Sequence, residues 1–318
     1  MCHWIGDTFW AMQVIPEIKR KFPDAELWAG IKPCSRDLLF NLIDDDRILI
    51  LKNVTSDRHR ENFPISGFIN EIKTARNLAF DTVIDLTCNR YSAIFSLFAG
   101  IRNRVGLDLH KFSFLYTLKG SSFPNDRHLS QRPWETVKLL LKDAVIPEYL
   151  FPPRISMQKD ELEKQLGFSL DCNIALLSPG AGWKDKEWGL ESFAECGNFL
   201  IRNGYKVIIS GSEKERSLCT ELNTKLDGKA YIFIRGLKDF IALLPYLSLA
   251  ITNDSGPAHL CAAANVNLIT IFLIDNDKTY HPIGENVKVL THNLALTENA
   301  ISLIKAIEGK SKNDLLSD

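Results

Sequence analysis

The stretch LAITNDSGPAHLCAAA, residues 249–264, decides the fold. Its apolar run stops at Asn253-Asp254-Ser255-Gly256, and Pro257 then opens an Ala-rich segment. That order reads as a buried strand, a turn and the first turn of a helix. Asp254 or Ser255 is placed to cap the helix, and Gly256 permits close backbone approach. Unpaired amides at a helix N-terminus attract anions, and His259 falls within that first turn. A capped helix alone needs no such convergence of Gly, Ser and His, so the block is read as an anion site.

The same grammar recurs upstream. SPGAGWKDKEW, residues 178–188, follows an apolar run at 173–177 and precedes a helical pattern at 190–202. Gly180 and Gly182 free the backbone to wrap a phosphate, and Lys184 or Lys186 can neutralise it. The spacing is not that of a Walker A loop. A third strand, 206–210, ends on Gly211-Ser212-Glu213, where a carboxylate suits either ribose hydroxyls or a solvated first turn. Further strands are expected at 231–234, 249–252 and 268–272, with helices at 213–226, 240–246 and 257–264.

In the first half, strands at 26–29, 47–51, 82–86 and 104–107 alternate with helices at 8–22, 65–80 and 132–142. Such alternation implies parallel sheets covered on both faces. The expected class is therefore α/β, with two doubly wound, Rossmann-like domains facing a cleft. The Pro-containing stretch IPEYLFPP, 146–153, separates a domain at 1–150 from one at 151–318. The tail at 309–318 reads as frayed.

The 318 residues are 45% hydrophobic and 24% charged, which excludes a disordered or fibrous chain. With 38 Lys and Arg against 39 Asp and Glu, the net charge of −1 draws the protein onto no nucleic acid. The seven cysteines form no close pair, so neither zinc site nor disulfide framework is read and a reducing compartment follows. No carboxylate or His cluster has metal-ligand spacing. The longest stretch without Asp, Glu, Lys or Arg, 255–274, contains Pro257, His259 and several Asn, so no membrane span is expected. Met1-Cys2-His3-Trp4 has neither the basic nor the apolar region of a secretory signal.

Gly6-Asp7 stands before a helix, where an Asp serves as an N-cap or, facing a cleft, as a general base. Arg102, Arg104 and Lys111, with Phe112, Phe114 and Tyr116, mix cations with aromatics. That mixture suits an anionic acceptor, a membrane surface or a solvated loop. A doubly wound domain normally opens on a buried strand, and there is no room for one ahead of Trp4. The expectation is that the natural protein begins upstream of Met1, with five or six apolar residues forming that strand.

IGDTFWAMQVIPEIKRKFPDAEL (5–27), SPGAGWKDKEWGLESFAE (178–195), VIISGSEKE (207–215) and NDSGPAHLCAAANV (253–266) together resemble the heptosyltransferase family, glycosyltransferase family nine. The resemblance spans nearly the whole chain. It implies a GT-B fold, with the acceptor bound by the first domain, a nucleotide-sugar donor by the second, and neither metal nor cofactor. Members that this chain resembles transfer heptose from ADP-heptose to the lipopolysaccharide inner core with inversion. That implies a cytoplasmic enzyme in peripheral contact with the inner membrane, and a lipid-linked or oligosaccharide acceptor. Carried over, Asp7 matches the family's base, Lys186 its phosphate-binding lysine and Glu213 its ribose-binding acid. Asp254, Ser255, Gly256 and His259 match the block that holds diphosphate and sugar. Leu273-Ile274-Asp275-Asn276-Asp277 departs from the G-P-T-type turn of many members. Two rival readings are a GT-B nucleotide-sugar epimerase or hydrolase, and a non-catalytic nucleotide-sugar binder.

Overall fold

A computed structural model describes residues 4–54, 64–155, 157–291 and 296–314. Cys2, the start ahead of Trp4 and residues 315–318 of the tail lie outside the described residues. The chain divides into two compact units between Glu148 and Tyr149, within the Pro-containing stretch.

The first unit runs α1 (Ile5–Met12), α2 (Ile15–Lys21), β1 (Ala29–Ile31), β2 (Ile48–Ile50), α3 (Ile65–Asn77), β3 (Thr82–Ile84), α4 (Arg90–Phe98), β4 (Asn103–Leu107), β5 (Leu118–Gly120) and α5 (Arg132–Val137). The single helix expected at 8–22 is two, because Pro16 lacks the amide that a continuous helix would need there. The strand expected at 26–29 begins only at Ala29, where pairing with Ile48 starts. Helix α4, not foreseen, is started by Asn89, whose side chain accepts from the amides of Tyr91 and Ser92 at 2.8 and 3.1 Å. All pairing is parallel but falls into two sheets, β1-β2 and β3-β4-β5.

The second unit runs α6 (Lys159–Leu166), β6 (Ile174–Ser178), α7 (Leu190–Arg202), β7 (Lys206–Ser210), α8 (Arg216–Lys225), β8 (Tyr231–Phe233), α9 (Leu237–Leu243), β9 (Leu249–Asn253), α10 (Gly256–Ala263), β10 (Asn267–Phe272), α11 (Asp277–Tyr280), β11 (Val287–Thr291) and α12 (Leu296–Asp314). Strand β11 and helix α12 were not foreseen, and α12 carries helix to Asp314 through the tail expected to fray. Six parallel strands form one sheet in the order β11-β10-β9-β6-β7-β8. Counted from β6 this is the 3-2-1-4-5-6 order of a doubly wound fold. Leu177, Ile209, Ile251 and Ile271 from its central strands pack against Phe193 and Leu200 of α7 and Ala300 and Ile304 of α12. Fully burying such a side chain contributes roughly 1.5–3 kcal/mol, which makes this sheet a firm base for the loops at its carboxyl edge.

Candidate donor-binding site

Strands β6 and β9 are neighbours in the sheet although β7 and β8 intervene in sequence. The order reverses there, so the loops leaving their carboxyl ends diverge and open a crevice. Asn253, at the end of β9, spans both arms of the loop that follows β6. Its Oδ1 accepts from the Trp188 amide at 3.1 Å and its Nδ2 donates to the Pro179 carbonyl at 2.7 Å. The next residue, Asp254, is held by its amide donating to the Ile271 carbonyl at 3.0 Å.

The Asp254 carboxylate meets Lys186, whose ammonium donates to Oδ2; the two side chains are 6% and 14% exposed. Asn276 Nδ2 reaches the same oxygen at 3.4 Å, while Asn276 Oδ1 is buried without a hydrogen-bond partner among the described residues. The rings of Trp183 and Tyr280 flank the ammonium at 5.4 and 5.6 Å, within cation–π range. Lys184, the alternative cation, turns to Glu187 at 2.7 Å and is 84% exposed. Of the two lysines, the fold brings only Lys186 to the switch point.

Ser255 occupies the N-cap of α10 in extended backbone, but its side chain makes no cap bond; its hydroxyl donates to the Asn253 carbonyl at 3.2 Å. The capping that the sequence suggested for Asp254 or Ser255 is therefore not made. Gly256 opens the helix, and His259 is buried one turn in.

A side chain at Gly180 would collide with Glu215 Oε1, so this glycine lets a carboxylate lie against the loop. A side chain at Gly182 would meet nothing within 4 Å. The carboxylate at the loop is not the one read from the sequence. Glu213 is 74% exposed and holds Arg216 through two bonds of 2.6 and 2.8 Å. Glu215, two residues on, accepts from the Ser212 amide and hydroxyl at 2.6 Å each and reaches back to Gly180. The missed signal was a capping box, Ser212 with an acid three residues later. Asn253, Asn276 and Tyr280 were missed because contacts between loops of different strands leave no mark in local sequence; Trp183 lies three residues before Lys186 in the same loop.

In the first unit Asp7 stands in the first turn of α1, whose N-cap is Trp4. Burial raises its pKa above the ordinary carboxylate value, while the nearby Arg132 guanidinium and a bond from the Trp4 amide oppose the rise. A denser centre lies at the end of β3. Asp85 is buried and accepts from the Thr87 amide and hydroxyl (3.1 and 2.8 Å), the Cys88 amide (2.9 Å) and the Tyr116 hydroxyl (2.7 Å), as well as the Ser92 hydroxyl. These bonds hold Cys88 at φ +47°, and burial pushes its thiol up to about 12. They fix the turn into α4 and leave the thiol inert.

Arg102, Arg104 and Lys111 do not come together. Arg102 and Arg104 lie at the amino end of β4 and Lys111 beyond its carboxyl end. Arg104 also spends its guanidinium on the carbonyls of Leu115 (2.8 Å), Ile101 (2.5 Å) and Arg102 (3.2 Å), so it clamps backbone. Lys111 is exposed over the Phe112 ring at 5.4 Å, beside Phe114 at 69% exposure.

Among the described residues no group of three or more His, Cys, Asp or Glu is placed to hold a metal ion. Nor is any helix among them long and apolar enough to cross a membrane. Two α/β units with parallel strands, the second with a topological switch point, have the elements of a GT-B fold. The family model described as glycosyltransferase family 9 (heptosyltransferase) matches residues 70–301. The chain is 25% identical over 302 residues to lipopolysaccharide heptosyltransferase 3 of Escherichia coli, covering 89% of this chain and 84% of that one. It is 22% identical over 298 residues to the lipopolysaccharide core heptosyltransferase OpsX of Haemophilus influenzae, at 86% and 77% coverage. The solved E. coli ADP-heptose lps heptosyltransferase II superposes with a TM-score of 0.76 at 19% identity, over 97% of both chains. The chain belongs to glycosyltransferase family 9, the heptosyltransferases, and is a glycosyltransferase.

Proposed function

We propose that the protein transfers a heptose from ADP-heptose to an acceptor of the lipopolysaccharide inner core, with inversion and without a metal ion. The observation that carries this is the Lys186–Asp254 pair at the β6/β9 switch point, where such sheets take nucleotide ligands. The relatives named for lipopolysaccharide heptosyl transfer supply the sugar and the acceptor class.

In this reading the acceptor hydroxyl attacks the anomeric carbon from the face opposite the diphosphate. The new glycosidic C–O bond forms as the anomeric C–O bond to phosphate breaks, and the hydroxyl proton passes to Asp7. Charge grows on the departing diphosphate. The Lys186 ammonium and the first-turn amides of α10 oppose that charge more strongly in the transition state than in the ground state. Glu215, lying against Gly180, is the carboxylate for ribose hydroxyls, in place of Glu213. Asp254 holds Lys186 until the diphosphate competes for it.

The test is incubation of the protein with ADP-heptose, with and without a Kdo–lipid A acceptor. Release of ADP only when acceptor is present supports transfer. ADP released equally without acceptor makes the protein a hydrolase, and binding with no ADP in either arm makes it a non-catalytic relative.

A further inference from the structure

Most arginines of the first unit have an evident partner. Arg20, Arg36, Arg47 and Arg127 pair with carboxylates, and Arg76 and Arg104 donate to backbone carbonyls. Arg132, the first residue of α5, is different. It is half-buried, its Nε is wholly buried, and no group among the described residues accepts a hydrogen bond from its guanidinium. Enclosing a charged donor without a partner costs stability, so its presence points to a partner that the fold itself does not supply.

The acids around Arg132 are otherwise engaged. Thr136, one turn further along α5, lies 3.9 Å from the Cys88 thiol, which seats the helix against the turn after β3. Asp85 in that turn spends Oδ1 on Thr87 and Cys88, and Oδ2 on Ser92 and Tyr116. Glu135 takes Arg127 at 3.2 Å and Lys138 at 3.4 Å. Asp7 remains. It feels the Arg132 charge, yet makes neither a hydrogen bond nor an ion pair with it, which leaves the guanidinium's donors for another oxygen. Packing, and not attraction between the two charges, sets their spacing. Trp10, one turn after Asp7 on α1, meets His128 edge to face at 5.5 Å. His128 Nδ1 accepts from the Ser130 amide at 3.2 Å, which fixes the turn Leu129–Gln131 that runs into Arg132.

We infer that Arg132 is the anion site of the acceptor: its planar fork takes a carboxylate or phosphate carried close to the hydroxyl that the acceptor presents to Asp7. The inference rests on Asp7 as the base. It gives the acceptor-binding role to Arg132 in place of Arg102, Arg104 and Lys111. Two parallel N–H···O bonds to one anion fix direction as well as position, so the hydroxyl arrives aimed at the base. A neutral acceptor leaves the guanidinium enclosed and unpaired, and is rejected for that reason.

The test compares Kdo–lipid A with its carboxyl-reduced and its phosphate-free forms, on the wild type, Arg132→Gln and Arg132→Lys. Arg132→Gln is expected to raise KM for the intact acceptor about 10–100-fold, with KM for ADP-heptose unchanged. Arg132→Lys keeps the charge beside Asp7 but loses the fork, so it should restore the pH profile and not the acceptor KM. The modification that abolishes the difference between wild type and Arg132→Gln names the anion. An undiminished difference on both modified acceptors overturns the inference and leaves Arg132 acting through Asp7 alone. A second reading needs no turnover. In protein labelled with 15N-arginine, the Arg132 Nε–H signal, identified by its loss in Arg132→Lys, should shift saturably on titration with Kdo or with inorganic phosphate. A signal that moves with neither overturns the site. A shift without any ADP release leaves the anion site standing and overturns the transfer reading instead, so the two fail separately.

Discussion

Asp7 sits where burial and a cation act in opposite directions, and burial is the larger effect. Its folded pKa therefore lies above its unfolded value. Such a carboxyl adds stability below the ordinary carboxylate range and loses it as pH rises through the folded value, so above that value the ionised group destabilises the first unit. Asp7→Asn should accordingly melt at the same or a higher temperature there, while transfer falls about 10²–10⁴-fold. Near-normal turnover would remove Asp7 from the mechanism. Arg132 holds the pKa down, so Arg132→Gln should move the acid limb of the kcat/KM profile to higher pH. Lys186 carries a different pair of consequences. Lys186→Ala should weaken ADP binding by calorimetry and lower the rate further than affinity explains. It also leaves Asp254 buried without its cation, at a cost of about 3–5 kcal/mol in unfolding experiments, part of which Asp254→Ala should restore in the double variant. Unchanged ADP affinity would make residues 180–186 a structural turn.

At the scale of elements, the loop after β6 and the turn after β7 meet through Gly180 and Glu215. Glu215→Gln should weaken ADP binding, and Glu213→Gln, whose exposed carboxylate pairs with Arg216, should leave it unchanged. Equal losses in the two would return the ribose role to Glu213. The turn after β3 depends on Asp85, so Tyr116→Phe, which deletes one donor to a buried carboxylate, should cost about 1.5–3 kcal/mol in denaturant unfolding. How far such elements could be read in advance followed from how local their causes are. Strand β7 and helix α7 occupy the residues expected of them, because five apolar residues and a long amphipathic pattern carry their own periodicity. The Lys186 loop and the 253–259 block were legible because glycines and a Pro mark strand-to-helix turns. Glu215 had a local mark in its capping box with Ser212, whereas Asn253 and Asn276 had none, since each acts on a residue brought near only by the order of strands. Arg104 misled for the same reason: a guanidinium beside aromatics looks available until its three carbonyl partners are known.

For the molecule as a whole, transfer measured in excess EDTA should equal transfer in buffer; strict dependence on Mg²⁺ or Mn²⁺ would place the diphosphate on a metal instead of Lys186. The Lys186–Asp254 pair has a consequence for how a ligand arrives as well as for how it is held. Among the described residues the ammonium at the switch point, Lys186, is already paired with a carboxylate, and the chain carries a formal charge of −1, so a weak long-range pull on an anionic ligand is expected. Clefts lined by one sign of charge gain about 10–10³ in association rate and lose it as salt rises. Here capture of ADP should be governed by diffusion and loop geometry, with an association rate nearly flat between low and physiological ionic strength in stopped-flow measurements. Asp254→Asn uncovers the ammonium. That variant should bind ADP faster in dilute buffer and slow steeply on adding salt, trading a site indifferent to its ionic surroundings for one tuned to them.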